Sequence, residues 1–220
     1  MTKNTLFPTL SGVSKLGFMA SALVAASAAI HPAFAHHPMG GKTPSNFFEG
    51  FLSGIGHPIV GLDHLAFIIA VGLLSLTCDR RFLMPLAFVA LTAVGTLVHL
   101  ASVNLPLAEI VIAATVLAGG AILISGRMFG WAGFAGLFAL AGLFHGFAYG
   151  EAIFGAEATP VAAYLLGFVV TQYLIAVAAM QGVLWIARSG VAEQGVATRV
   201  TGGVVAGMAV VMLSGHLMPF

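Results

Sequence analysis

The chain of 220 residues is short of charge and almost without cysteine. Charged residues make up 7% of it, against about a quarter in a soluble domain, which excludes an ordinary water-soluble fold. Eight Lys and Arg stand against seven Asp and Glu, so there is no basic surface to hold nucleic acid. The one cysteine, Cys78, excludes an intramolecular disulfide and a thiolate metal cluster. Soft-metal chemistry of the Cu(I) kind thereby loses most of its support. No G-x-x-x-x-G-K run is present, so the chain does not hydrolyse ATP by a P-loop, and no H-E-x-x-H helix is present either. What remains is 60% hydrophobic. The apolar stretches are too long and uniform for the alternating strands of a barrel. They predict an all-α integral membrane bundle.

Residues 1–35 read as a secretory signal peptide. Lys3 and Lys15 form its basic region, Leu16 to Ile30 its apolar core, and Ala33-Phe34-Ala35 an A-x-A cleavage site. Residues 36–54 form an extracytoplasmic N-terminal segment, first polar with Pro38 and Pro44, then aromatic with Phe47, Phe48 and Phe51. Either a short interfacial helix or an extension of the first span fits it. The membrane domain, 55–220, divides into six expected helices at about 55–77, 83–101, 107–125, 130–151, 160–187 and 197–217. Arg80, Arg81, Arg127, Arg188 and Arg199 all fall in or beside the connections at one side. The positive-inside rule makes that side cytoplasmic, and both ends of the mature chain extracytoplasmic. Rows of glycine at spacings of four, Gly142, Gly146 and Gly150, then Gly203 and Gly207, predict close helix packing in lipid.

The chemistry concentrates in His57-Pro58-Ile59-Val60-Gly61-Leu62-Asp63-His64, which opens an apolar run without charge to Leu76. Pro58 to Leu76 gives about 28 Å of continuous helix, enough to cross a bilayer core. An ionised carboxylate inside such a helix costs about 2.5–3.5 kcal/mol and calls for a function. On one helix His57 and His64 point the same way about 10 Å apart, reaching one ion jointly or two in succession. Pro58 suits the first helical position. Asp63 either orients His64 or binds the ion directly. The second motif is Phe144-His145-Gly146-Phe147-Ala148-Tyr149-Gly150-Glu151, in which His145 and Tyr149 share a helix face. His99 and Glu109 join the candidates by depth, since they too fall in the outer half of the spans. His216 reads as a solvated helix end. Toward the cytoplasm only Thr171, Gln172 and Gln181 continue a polar track.

The pair of motifs, His57-x5-Asp63-His64 in the first span and Phe144-His145-Gly146 leading to Glu151 in the fourth, resembles the HupE/UreJ family of bacterial nickel permeases. The resemblance covers essentially the whole chain. It implies secondary uptake of Ni²⁺, or in some members Co²⁺, across the bacterial cytoplasmic (inner) membrane to supply hydrogenase or urease. It also implies functional roles for His57, Asp63, His64 and His145. One departure is Tyr149, where family members often carry a second histidine. The carboxylate that follows is closer by one residue, leaving Glu151 or Glu157 as its counterpart.

The expected metal ligands are therefore His57, Asp63, His64, His145, Glu151, His99 and Glu109. Imidazole and carboxylate together suit a borderline divalent ion such as Ni²⁺ or Co²⁺. The chain reads as a permease rather than an enzyme, with no catalytic residue and no prosthetic group; the divalent ion is its substrate and the lipid bilayer its surroundings. An intramembrane zinc-dependent hydrolase, with histidines on zinc and a carboxylate as base, is the alternative.

Overall fold

The computed structural model describes residues 42–127 and 130–217. The leader expected over 1–35 lies outside the described residues, as does the start of the N-terminal segment expected over 36–54. Among the described residues seven α-helices follow in order: α1 (Phe47–Val60), α2 (Leu62–Ser75), α3 (Met84–Leu100), α4 (Ala108–Ser125), α5 (Trp131–Tyr149), α6 (Ala158–Arg188) and α7 (Gln194–Leu217). A 3-10 turn, Gly150–Ile153, extends α5. No strand occurs among the described residues.

Helix α1 begins with a reciprocal cap. The Asn46 side chain accepts from the Glu49 N–H at 3.0 Å, and the Glu49 carboxylate accepts from the Ser45 N–H at 2.8 Å. It ends at Gly61, where the continuous helix expected from Pro58 to Leu76 is broken. The pair α1–α2 bends there by 77°. Pro58 lies inside the last turn of α1 rather than opening a helix, and it has no N–H to offer the turn before it. Gly61 takes an extended ψ of 96°. Its N–H donates to His57 O at 3.0 Å and its carbonyl accepts from Leu65 N–H at 2.8 Å. The break therefore leaves Gly61 with no bare backbone group, as an apolar surrounding requires.

Helices α4, α5 with its 3-10 extension, α6 and α7 are each long and apolar enough to cross a membrane, and α1–α2 pass the same test only as a bent pair. Helix α3 is apolar but has 17 residues, about 25 Å. The chain is a helical, multi-pass membrane protein. Its five arginines gather at one end: Arg80 and Arg81 follow α2, Arg127 follows α4, Arg188 closes α6, and Arg199 lies early in α7. The Arg199 guanidinium comes within 3.3 Å of the Cβ position of Gly126, the left-handed residue that stops α4. Trp131 and Trp185, 73% and 67% exposed, flank the same end, where amphipathic rings favour a headgroup level.

Close helix contacts run through small residues. Gly142, Gly146 and Gly150 press α5 against α3: a Cβ on Gly142 would meet Phe88 O at 2.7 Å, one on Gly146 would meet Thr92 Cα at 2.6 Å, and one on Gly150 the His99 ring. Gly50 and Gly54 do the same for α1 on Pro160 and Tyr164 of α6, and Gly72 for α2 on Ala176. On α7 the packing residue is Gly202, which faces Gly120 and Leu123 of α4, whereas the expected Gly203 faces open space. Phe67, Phe88, Phe134 and Phe138 fill the centre. A methyl group at Gly146 meets backbone that cannot turn aside. Gly146→Ala should therefore cost about 1–3 kcal/mol, read as earlier thermal unfolding in detergent. Gly203→Ala should leave the melting unchanged.

Candidate functional site

The break at Gly61 turns two positions of one sequence motif toward each other. His57 occupies the last turn of α1, and Asp63 and His64 the first turn of α2. Each is placed favourably: the N-terminal end of a helix dipole supports the Asp63 carboxylate, and the C-terminal end supports positive charge near His57. The His57 and His64 rings lie 5.7 Å apart between centroids, edge to face. Axial separation along one helix, expected at about 10 Å, does not apply, because the two residues belong to different helices. His57, His64 and His145 are fully buried, and Asp63 is 9% exposed. A side chain at position 61 would place Cβ 2.7 Å from His64 Cδ2 and 3.3 Å from Asp63 Oδ1.

Two hydrogen-bond chains orient the imidazoles. Thr115 on α4 donates its hydroxyl proton to Ile112 O at 2.7 Å, so its oxygen accepts from His145 Nε2–H at 3.2 Å. In the neutral imidazole, His145 Nδ1 is then an acceptor, and His64 Nδ1–H donates to it at 2.9 Å. The His64 Nε2 lone pair is turned toward the Asp63 side, with Asp63 Oδ2 3.9 Å away. The second chain has the same logic. Tyr164 on α6 donates to Tyr149 O at 2.9 Å, so its oxygen accepts from His57 Nδ1–H at 2.8 Å. His57 too carries its lone pair on Nε2.

Aromatic rings enclose this centre. Tyr149 touches both histidines, edge to face with His57 at 4.7 Å and tilted against His64 at 4.2 Å between centroids. Phe67 lies flat on His145 at 4.8 Å. The Tyr149 hydroxyl is buried without a hydrogen-bond partner. Tyr149, Tyr164 and Thr115 were not among the expected site residues. Tyr149 was visible as the residue four after His145, on the same face. Thr115 and Tyr164 gave no such signal, since their partners lie far away in sequence.

The structure thus brings together His57, Asp63, His64 and His145 and leaves the other expected ligands elsewhere. His99 packs on Phe147 at 4.5 Å and Phe154 at 5.5 Å. Glu109, in the first turn of α4, pairs with His216 at 3.8 Å, both partly exposed. Glu151 is exposed on the 3-10 turn, and Glu157 is exposed before α6. Among the described residues, no three His, Cys, Asp or Glu side chains are already grouped as a metal ion requires. The arrangement has imidazoles and a carboxylate near one another, the imidazoles held in place by hydrogen bonds. Such an arrangement can accept a proton or a cation.

The family described as HupE / UreJ protein matches residues 23–212 of the chain. Protein HupE of Rhizobium leguminosarum bv. viciae is 31% identical over 160 residues, which cover 72% of this chain and 81% of the relative. No solved structure matches. In a ¹⁵N spectrum of histidine-labelled protein at neutral pH, His57 and His64 should appear with Nδ1 protonated and His145 with Nε2 protonated. Thr115→Val strands the His145 N–H and should cost about 1–3 kcal/mol of stability, whereas Thr115→Ser should restore it.

Proposed function

The chain belongs to the HupE/UreJ family, and from that premise we propose that it is a permease taking up a divalent transition-metal ion, Ni²⁺ or Co²⁺, through the histidine centre. The observation that carries this reading is the pair His57 and His64 facing each other across the Gly61 break beside Asp63, all buried among apolar helices. Ionisable groups at such depth mark ion pathways by default, and broken helices are a recurrent way to build them. Neutral imidazole nitrogen with one carboxylate suits a borderline divalent ion.

In this proposal His57 and His64 offer Nε2, Asp63 supplies charge, and His145 holds the His64 ring and joins the ligands as the ion enters. Glu109, Glu151 and His99 lie toward the same end of the bundle and serve the mouth, where carboxylates raise the local cation concentration. The six spans are α1–α2 taken together, α3, and α4 to α7. The arginine-bearing end is cytoplasmic, residues 1–35 are a leader, and both mature termini face outward from the inner membrane. Entry needs no nucleotide. At −100 mV a divalent ion gains about 4.6 kcal/mol on crossing, more than a thousandfold accumulation. The metal delivered serves hydrogenase or urease.

Cells expressing the chain should accumulate radioactive nickel or cobalt. His64→Ala and His145→Ala should each lower uptake at least tenfold at equal membrane abundance, and Asp63→Asn should lower it about 10–100-fold if Asp63 acts through His64. His216→Ala should be mild. Wild-type uptake in both histidine variants would overturn the assignment. In a Cys78→Ser background, a cysteine at Thr159 should react with an impermeant reagent added outside, and one at Ser189 should not. The opposite labelling would reverse the direction of transport.

A further inference from the structure

Of the three polar residues that continue along α6 toward the arginine-bearing end, Gln172 alone is buried, with no exposed surface, while Thr171 is half-buried and Gln181 exposed. Its amide is held in one orientation. Thr92 on α3 gives its only hydroxyl proton to Val89 O at 2.7 Å, so the Thr92 oxygen can only accept. It accepts from Gln172 Nε2 at 3.1 Å. The amide nitrogen must therefore face Thr92, and the amide oxygen must face away. That oxygen, Oε1, is buried without a hydrogen-bond partner. Neither nitrogen of His145 can serve it, because both are engaged, with His64 and with Thr115. A carbonyl oxygen shielded from water and given no donor is unfavourable. A leucine would fill the same space without that cost.

The place of Gln172 along α6 gives that oxygen a use. Helices α2 and α6 both run toward the arginine-bearing end and meet where Gly72 touches Ala176. His64 lies two turns before that contact and Gln172 one turn before it. Along the helix axes, Gln172 is thus about 6 Å, one helical turn, further toward the arginine-bearing end than His64. We propose that the Gln172 side-chain oxygen is a second ligand station for the divalent ion, receiving it from the histidine centre on the way to the arginine-bearing end. This rests on the permease reading above. A neutral amide oxygen is a weaker ligand than imidazole for a borderline metal. Weak, successive sites are what permit an ion to leave as well as enter.

The test compares equilibrium binding of radioactive nickel to the purified full chain in detergent with nickel flux into proteoliposomes. Gln172→Leu should bind within about twofold of wild type but carry flux at least tenfold lower. Gln172→Glu keeps an oxygen at the same reach, so it should bind no more weakly than wild type and carry more flux than the leucine variant. Should the leucine variant fail to fold, Thr92→Val is read instead; it frees the amide to turn and should also slow flux while binding holds. Wild-type flux in the leucine variant overturns the second station. Equally slow flux in the leucine and glutamate variants, both stably folded, also overturns it, since the oxygen is then irrelevant. Loss of binding as deep as in His64→Ala overturns it too, because Gln172 would then act on the histidine centre. If wild type itself neither binds nor carries nickel, the permease reading falls and the station with it. If wild type and His64→Ala behave as expected and Gln172→Leu is silent, the station alone falls.

Discussion

Position 61 has no room for a side chain. A methyl group there would press on the His64 ring, and that contact comes from the bend the glycine itself permits. A straight helix through 61 would carry His57 and His64 a turn and more apart. The bend costs little because both Gly61 backbone groups still find partners, one in each helix. It also lets α1 lie along the first half of α6, with Gly50 and Gly54 against Pro160 and Tyr164. Tyr164 is thereby brought to His57. The histidine centre and the α1–α6 packing thus have one origin.

The rest of the bundle holds the centre still. Helices α3 and α5 approach to backbone contact at Gly142 and Gly146, and this sets the depth of His145 in the bundle. The Thr96 hydroxyl ties the two together by donating to Gly146 O at 2.8 Å. Thr115 then fixes the far nitrogen of His145 from α4. Four helices besides the broken pair therefore contribute to the position of three imidazole rings. In lipid, where apolar contact alone gives helices little reason to associate, close packing and such hydrogen bonds provide the drive.

How much of this was legible before folding depends on which coordinate is asked for. Depth along a span reads directly from position, so the grouping of His57, Asp63, His64, His145, His99, Glu109 and Glu151 toward one end follows from sequence. Rotation about the helix axis does not read in the same way. His99 turns to Phe147 and Phe154, and Glu109 to His216, because their neighbours are chosen by tertiary packing. The apolar run continues through Gly61 without interruption, so hydropathy sees one helix; the break needs the crowding around His64 to explain it. Pro58 was legible as a helix-end residue, but which end it marks depends on where the preceding helix lies. Hydrogen-bond partners such as Tyr164 for His57 are 107 residues apart in sequence and have no local signature.

The two chains that orient the imidazoles share an ending. One closes on Ile112 O and the other on Tyr149 O, and a backbone carbonyl accepts a proton's hydrogen bond but has no proton to hand on. Conduction by successive hops stops at such a group. Titratable rings buried in a membrane protein otherwise invite short-circuiting of the proton gradient, because a wire of hydroxyls and imidazoles conducts whichever way the voltage drives it. Here the wires are insulated at their far ends. The rings are held in place without an electrical leak through Thr115 or Tyr164.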